Sequence, residues 1–345
     1  MTTCIGAYPK PDYLCLPDWF DDLDKPDPTR GWREALDALG EEAESLLDRA
    51  THDVVQDQVN AGIDIPTDGE VGRENYIHYH CRHLENIDFQ NLTQRPLRNG
   101  NYAARLPTVR GPLRPRELFL RRDWKRAQKH TEKPVKITMP GPLTMTDTLA
   151  DGFYPDSVSL GKDIASALNQ EVRDLANAGC RHIQIDEPLF ARHPLRALDY
   201  GIENLERAFE GCPAEVTRTV HICCGYPDKI DRDDYPKAPL DSYERLAAAL
   251  DESSIMAVSL EDAHRPNDLT LLEKFSRTTV LLGVVAIAKS RVETVEEIRS
   301  RLQLALNHIE PHRLMVAPDC GLGILGRTRS VKKLRNLCQA ARSLP

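Results

Sequence analysis

Four residues of metal-ligating type follow short apolar runs in the second half of the chain. His221 and Cys223 lie in TVHICCG, Glu261 lies in VSLEDAH, and Cys320 lies in APDCGLG. One imidazole, two thiolates and one carboxylate suit zinc better than magnesium or calcium. Residues two apart on an extended chain point to the same side, so His221 and Cys223 can converge, while Cys224 faces away and packs. The pattern predicts one Zn²⁺ centre able to hold a substrate thiol as its nucleophilic thiolate.

Two acidic motifs follow other apolar runs. They are Asp68-Gly69-Glu70 and Asp186-Glu187-Pro188. Carboxylates at strand ends would give a pocket a negative potential that suits a cation such as a substrate ammonium group. Either motif alone also fits a solvated loop acid or a charge at a helix N-terminus. Similarly, the polar residues that follow Glu70 fit either a wall of the pocket or one face of an amphipathic helix; they are Tyr76, His78, His80 and Arg82.

The elements that must position these residues are short apolar runs separated by amphipathic stretches. The runs are mostly continuous in apolarity instead of alternating, which is typical of a parallel sheet covered on both faces. We predict eight strands, at residues 3–6, 63–67, 135–139, 182–185, 215–222, 255–260, 280–285 and 314–317. Apolar residues at helical spacing predict helices at 159–178, 241–250, 294–308 and 330–341, the first of them ending at Gly179.

Alternating strands and helices over this length predict an α/β fold of the (β/α)8 TIM-barrel type. The alternative is an open doubly wound sheet, but no G-x-G-x-x-G follows the first strand. Two departures are expected. Residues 7–35 are rich in proline and predict an irregular lead-in, and residues 85–115 contain Asn99-Gly100 between extended runs, which predicts a hairpin excursion after the second strand.

Composition narrows the classes of partner and compartment. The chain has 345 residues, a formal net charge of -8, 41% hydrophobic residues and 28% charged residues. This charge argues against nucleic acid or an anionic membrane as the main partner. An odd, scattered set of 9 cysteines without an export signal indicates free or metal-bound thiols in a reducing compartment. We therefore expect a cytoplasmic protein.

Taken together, the motifs resemble the catalytic domain of the cobalamin-independent methionine synthase family, and most closely its short core members. The segments that carry the resemblance are Ile5-Gly6-Ala7-Tyr8-Pro9, Asp68-Gly69-Glu70, Gly141-Pro142-Leu143-Thr144, Asp186-Glu187-Pro188, His221-Ile222-Cys223, Ser259-Leu260-Glu261 and Pro318-Asp319-Cys320-Gly321-Leu322. Their order agrees along nearly the whole chain, which implies one barrel domain over residues 1–345. The resemblance also implies one zinc ion, bound by His221, Cys223, Glu261 and Cys320.

The resemblance implies roles for the residues that would hold the acceptor. Glu70 and Asp186 would bind the ammonium group of homocysteine and form the catalytic acid pair. The backbone of Ile5, Gly6 and Ala7 would bind its carboxylate. The homocysteine sulfur would join the zinc and accept a methyl group there, so the expected partners are a small thiol and a methyl donor or its carrier protein.

The departures from the family pattern concern the donor. Where the family carries Tyr-Asp-Ile-His after the seventh strand, this chain has Val285-Ala286-Ile287-Ala288. The Asp and the His that would protonate the folate leaving group are therefore both absent. A tryptophan-containing segment is replaced by Met145-Thr146-Asp147-Thr148-Leu149, and Ala7 stands in place of serine. These changes favour a donor other than folate polyglutamate, such as methylcobalamin or a carrier protein. The alternatives are an epoxide:thiol transferase at the same zinc-thiolate site, or a non-catalytic barrel with structural zinc.

Overall fold

The fold follows from a computed structural model that describes residues 1–17, 30–97, 102–225, 229–232 and 235–344. The strands are β1 (Ile87–Leu97), β2 (Tyr102–Val109), β3 (Lys136–Pro140), β4 (Ala150–Asp151), β5 (His182–Asp186), β6 (Thr217–Ile222), β7 (Ala257–Glu261), β8 (Thr279–Gly283) and β9 (Leu314–Ala317). The helices are α1 (Arg30–Leu39), α2 (Ala43–Ala61), α3 (Tyr76–Arg82), α4 (Leu120–Gln128), α5 (Pro142–Thr148), α6 (Ser157–Ala178), α7 (Pro188–Arg192), α8 (Pro194–Arg196), α9 (Ile202–Ala208), α10 (Ser242–Glu252), α11 (Val295–Ala305) and α12 (Arg327–Arg342).

Six strands form a parallel sheet in the order β3-β5-β6-β7-β8-β9. Single parallel bridges close this sheet into a ring. Thr2 pairs with Val316 of β9, and Thr3 pairs with Ile65. Thr67 then pairs with Lys136 of β3. The six strands and the strand-like segments at residues 2–3 and 65–67 form a ring of eight parallel strands, which confirms the predicted (β/α)8 barrel.

The strands are buried on both faces, as their continuous apolarity predicts. Alternate residues point into the barrel, where a small cluster fills its interior with Ile65, Ala257, Leu281 and Met315. The opposite residues join a much larger apolar cluster that lies between the strands and the surrounding helices. Two packed layers therefore fix the direction of every strand end, and with it the direction of the side chains that follow.

The predicted helices are present, with shifted boundaries. α6 begins where the Asp156 side chain accepts a hydrogen bond from the Ser159 N–H, and it ends at Gly179, which has a φ of 106°. α11 begins with a reciprocal capping box between Thr294 and Glu297. These local signals explain why both helices were predictable from the sequence. None of the described helices has the length and apolarity needed to cross a bilayer.

The predicted irregular lead-in is wrong in its last part, and the hairpin is confirmed. Residues 7–17 contain no helix or strand, residues 18–29 lie outside the described residues, and α1 begins at Arg30. Tertiary packing decides this helix, because Trp32 is buried and its Nε1 donates to the Gly72 carbonyl at 3.1 Å. β1 and β2 pair antiparallel from Ile87↔Val109 to the loop, whose Asn99-Gly100 lies outside the described residues.

Candidate metal and substrate site

Three strands deliver the four predicted metal ligands to the carboxyl end of the barrel. His221 is the penultimate residue of β6, and Cys223 follows that strand directly. Glu261 is the last residue of β7, and Cys320 comes shortly after β9. The ligand atoms of His221, Cys223 and Cys320 all lie within 4.8 Å of one another. The structure therefore brings three of the four together as a candidate metal centre.

The His221 imidazole is oriented by a neighbouring strand. Its Nδ1 lies 3.0 Å from Ser259 Oγ on β7. Its Nε2 is buried and has no hydrogen-bond partner in the described part of the chain. Burial, followed by the charge of Lys136, lowers the pKa of His221 to about 3, so the imidazole is neutral. A neutral imidazole with one fixed and one unpartnered nitrogen has the form that binds a metal.

Glu261 lies beside this group of three and not inside it. Its Oε1 accepts a hydrogen bond from the Cys224 N–H at 3.0 Å. Its Oε2 is buried without a partner among the described residues. The carboxyl group contacts Cys223, but Glu261 is not part of the cluster of mutually close ligand atoms. The predicted fourth ligand, Glu261, therefore lies at the edge of the cluster, in contact with Cys223.

The acidic groups at the centre raise one another's pKa. The hydrogen bond with Cys320 and burial raise the pKa of the Cys223 thiol well above its usual range. Burial and the charge of Cys223 do the same for the pKa of Glu261. The hydrogen bond from Cys223 acts to lower the pKa of Cys320, but burial and Glu261 outweigh it. A bound divalent cation would relieve this crowding, and the two unpartnered atoms and the N/S/S/O donor set fit zinc.

The adjacent cysteine, Cys224, packs away from the centre as predicted from its position. It is fully buried, and its sulfur lies 3.0 Å from the Tyr243 hydroxyl. An Arg265 guanidinium nitrogen lies 2.8 Å from the same sulfur. The two neighbouring thiols therefore have different surroundings, which makes Cys224 a matched reference for Cys223.

Glu70 and Asp186 face each other near the metal centre. Burial, followed by the charge of Glu70, raises the pKa of Asp186 well above its usual range. Gln184 Nε2 donates to Asp186 Oδ1 at 2.7 Å and to the Ile5 carbonyl at 2.8 Å. Thr138 Oγ1 donates to Glu70 Oε1 at 2.6 Å. Two buried carboxylates that repel each other favour a cationic group between them.

The segment that contains Gly6 lies directly against the Glu70 carboxylate. A β-carbon on Gly6 would stand 2.7 Å from Glu70 Oε1, so only glycine allows this approach. Glu70 itself has a φ of 55°, which is unusual for a residue with a side chain. The carbonyl of Gly6 accepts from Thr67 Oγ1 at 3.0 Å, and that of Ala7 accepts from the Leu322 N–H at 2.7 Å.

The other acid of each motif has a structural partner. Arg73 donates to Asp68 Oδ2 at 3.1 Å and to the Thr138 carbonyl at 2.9 Å, and all of these groups are buried. Asp68 is therefore the acidic partner of Arg73 in a buried ion pair. Arg73 also lies 3.5 Å from Glu70 Oε1, which partly offsets the charge of that carboxylate.

Glu187 holds the start of α5. Its carboxylate accepts from the Leu143 N–H at 2.9 Å, and from the N–H and hydroxyl of Thr144 at 3.0 Å and 2.8 Å. A β-carbon on Gly141 would stand 2.1 Å from Glu187 Cδ, which explains the glycine of the predicted turn. Burial raises the pKa of Glu187 to about 7. The helix-terminus interpretation thus holds for Glu187, and Asp186 faces the site.

Of the four polar residues after the Asp68-Gly69-Glu70 motif, Tyr76 interacts with the site. Burial and then Asp186 and Cys223 raise the pKa of its hydroxyl well above the usual range. His78 and His80 are buried in the fold. Arg82 forms an ion pair with Glu74 and stacks over the Trp32 ring at 5.1 Å. Tyr76 thus lies beside Asp186 and Cys223 and not on the donor side, and the buried His78 and His80 do not form the polar face of an amphipathic helix.

The segment that departs from the family pattern is packed into the protein. Residues 284–288 are buried. The Ala286 N–H donates to Glu293 at 3.0 Å, and its carbonyl accepts from Lys333 Nζ at 2.9 Å. The Ala288 N–H donates to His264 Nε2 at 2.9 Å. Main-chain hydrogen bonds hold this segment, which follows β8 and lies between the ends of β7 and β9 that carry Glu261 and Cys320.

Sequence reasoning missed several residues that position the site. Gln184 and Ser259 stand two positions before Asp186 and Glu261, so strand alternation could have identified both. Arg73 is separated by only three residues from Glu70 and shares its turn. No sequence pattern pointed to His264, because its partner Asp319 is 55 residues away along the chain.

The fold and site define a class, a parallel barrel with an imidazole and two thiols clustered at its carboxyl end, and comparisons with known proteins agree. A family model described as "Cobalamin-independent synthase, Catalytic domain" matches residues 1–343. Methionine synthase from Pyrococcus furiosus is 30% identical, over 99% of this chain and 92% of that protein. Methionine synthase from Saccharolobus solfataricus is 29% identical, over 99% and 93%.

Solved structures give the same result. A B12-independent methionine synthase from Shewanella sp. W3-18-1, in complex with selenomethionine, superposes with a TM-score of 0.85 at 32% identity, over 99% of this chain and 96% of that one. A putative vitamin-B12-independent methionine synthase from Listeria monocytogenes shares the fold, with a TM-score of 0.72 at 18% identity. The chain belongs to the cobalamin-independent methionine synthase family. It is a methyltransferase, and the family reaction transfers a methyl group to homocysteine.

Proposed function

We propose that this protein is a zinc-dependent methyltransferase that converts homocysteine to methionine with a donor other than folate polyglutamate. His221, Cys223, Cys320 and Glu261 would hold the metal. The observation that carries the proposal is the pair of buried, unpartnered atoms, His221 Nε2 and Glu261 Oε2, beside two thiols. All 9 cysteines are free, which supports the cytoplasm as the compartment.

When bound, zinc would lower the pKa of an incoming thiol, so that its sulfur is nucleophilic at neutral pH. Glu261 is the ligand best placed to yield to that sulfur. Only its Oε1 is fixed, by one backbone N–H, and it lies outside the cluster of mutually close ligand atoms.

The chain's own residues orient the amino-acid part of the acceptor. Glu70 and Asp186 would bind the ammonium group between them, which lowers the cost of keeping both carboxylates charged. The carbonyls of Ile5, Gly6 and Ala7 already accept hydrogen bonds within the protein. A substrate carboxylate accepts hydrogen bonds, so the N–H groups of these residues are the ones that would bind it. This arrangement would fix the acceptor sulfur for an in-line displacement.

The donor side supports a methyl carrier whose leaving group needs no proton. Residues 284–288 are Val, Val, Ala, Ile and Ala, and they offer no ionisable side chain. The nearby His264 Nε2 already accepts the Ala288 N–H, so it carries no proton to donate. After methyl transfer, the demethylated cobalt(I) corrinoid or the neutral thioether left by a sulfonium is stable without protonation, whereas the nitrogen of methyltetrahydrofolate needs a proton to leave.

A paired substitution tests the metal centre. Cys223→Ala should abolish homocysteine methylation and remove bound zinc, because one thiolate ligand is lost. Cys224→Ala changes the neighbouring thiol, which faces Tyr243, and should retain zinc. Metal analysis of the purified variants gives the readout. Equal zinc contents in the two variants would contradict the proposal.

A donor screen tests the reaction. Wild-type protein loaded with zinc is incubated with homocysteine and methylcobalamin, a methylsulfonium, or methyltetrahydrofolate, and methionine is measured. Methionine from a corrinoid or sulfonium donor, with little from folate, is expected. Epoxides with simple thiols form a parallel arm, and turnover there without methionine formation would favour the epoxide:thiol transferase instead.

A further inference from the structure

A buried hydrogen-bond cluster joins the loops that follow β7, β8 and β9. Its centre is Asp319, whose side chain is fully buried. Asp319 Oδ1 accepts from the N–H groups of Asp262 and Ala263 at 3.0 Å and 2.9 Å. Its Oδ2 accepts from the His264 N–H at 2.7 Å and lies 2.7 Å from His264 Nδ1. One carboxylate thus organises the turn after β7.

The His264 imidazole uses both of its nitrogens. The Ala288 N–H is a donor, so His264 Nε2, at 2.9 Å, must accept and carries no proton. The proton of the neutral ring therefore stands on Nδ1 and is donated to Asp319. The side chain is only 4% exposed, which makes water a poor substitute for either partner. His264 is a bridge with a fixed tautomer.

The bridge connects groups on both sides of the proposed reaction. Asp319 precedes the thiol Cys320, and Asp262 follows the carboxylate Glu261. At the other end, Ala288 belongs to the buried apolar segment after β8, at residues 284–288, which forms the proposed donor side. The Asp319 N–H also donates to the Val285 carbonyl at 3.0 Å, which ties the same two loops a second time.

We infer that His264 is a positioning residue. It fixes the loops that carry Cys320 and Glu261 relative to Ala288 on the proposed donor side. This inference rests on the proposed function for its metal readout. The role follows from the geometry of the two hydrogen bonds, one to each side. No contact between His264 and a reacting atom is invoked.

Two substitutions separate the two bonds. His264→Asn keeps a donor near the position of Nδ1 and loses the acceptor for the Ala288 N–H. His264→Gln keeps an acceptor near the position of Nε2 and loses the donor to Asp319. His308→Asn is the matched control, because His308 Nδ1 pairs with Glu273 at 2.7 Å on a partly exposed surface remote from this cluster.

Co²⁺ titration of the full chain, followed by the thiolate-to-cobalt absorption, reads the metal side. His264→Gln should weaken Co²⁺ binding at least about 10-fold, as changes in outer-shell partners do. His264→Asn should bind Co²⁺ within about 3-fold of wild type, but its KM for the methyl donor should rise with little change in the KM for homocysteine. Equal effects in the two variants, or none in either, would overturn the inference.

Hydrogen exchange of the Ala288 amide in metal-free protein gives a readout that is independent of the proposed function. Exchange should accelerate about 10-fold or more in His264→Asn and stay near the wild-type rate in His264→Gln and His308→Asn. Uniform acceleration in both His264 variants would mean a merely structural role. Wild-type protein that binds no Co²⁺ would contradict the metal centre, and exchange at Ala288 would still decide the bridge.

Discussion

The acceptor half and the donor half of this site are built in different ways. On the acceptor half, side chains from strand ends converge, and His221, Cys223 and Cys320 bring their ligand atoms within 4.8 Å of one another. On the donor half, residues 284–288 present buried apolar side chains and are held through their main chain. Side chains of metal-ligating type therefore build one part of the site, and main-chain hydrogen bonds hold the other.

This difference teaches where a barrel sequence is informative about function. A strand end fixes the direction of the next side chain, so a ligand there can be recognised from residue type and alternation. A loop that is held through its main chain depends on partners that are far away in the sequence. Lys333, for example, lies 40 residues from the buried Glu293 with which it holds Ala286.

The largest effect is expected on the acceptor half. Cys320→Ser should remove one thiolate and weaken zinc binding by more than about 100-fold, beyond the cost of outer-shell changes, while the barrel remains folded. Zinc content and circular dichroism measure the two outcomes. Cys15→Ser, at an exposed cysteine, is the control. A fully zinc-loaded Cys320→Ser protein would contradict the assignment.

A smaller effect on the same half should appear in substrate affinity. Asp186→Asn removes one charge from the proposed ammonium site, so the KM for homocysteine should rise about 10- to 100-fold, the equivalent of one charged hydrogen bond. Zinc content should be unchanged. Steady-state kinetics with varied homocysteine test this. An unchanged KM, or an equal rise in the KM of the methyl donor, would speak against the role.

A substitution on the proposed donor half should change the free energy of unfolding more than it changes activity. Ala288 is fully buried and its N–H is bound, so Ala288→His overpacks the segment at residues 284–288 and should lower the free energy of unfolding by about 1–3 kcal/mol. It should not create folate-dependent activity. Denaturant unfolding and the donor screen measure both. A stable variant that uses methyltetrahydrofolate would show that this segment is open to a side chain.

The last effect concerns the stability contributed by Lys136, the first residue of β3. Lys136 is buried, its Nζ has no hydrogen-bond partner among the described residues, and burial lowers its pKa to about 8. The native state then binds fewer protons than the unfolded chain between about pH 8 and pH 10.5, so stability should rise with pH across that window. Lys136→Met should remove this dependence and add on the order of 2 kcal/mol to the free energy of unfolding at pH 7. Urea unfolding at pH 7 and pH 10 tests both; a less stable variant would show that the charge is needed.

The sequence was sufficient for the barrel and for the clustering of His221, Cys223 and Cys320, and insufficient for the residues that support them. All eight strands were predicted, because most are short, largely apolar runs that do not alternate in polarity. The start of α1 was missed, since Trp32 is fixed by the Gly72 carbonyl, 40 residues away. The role of Glu187 as the anchor of α5 was also open, because motif spacing alone does not distinguish it from Asp186.

The way the ring closes has a consequence for turnover. Strands β6 and β7, which position His221, Cys223 and Glu261, are joined to their neighbours by four or five registered pairs, whereas the segments before Ala7 and Glu70 are joined by single bridges. Thermal opening should therefore begin at the seam beside the proposed amino-acid pocket. In the proposed reaction, product and substrate would exchange there while β6 and β7 keep His221, Cys223 and Glu261 in place.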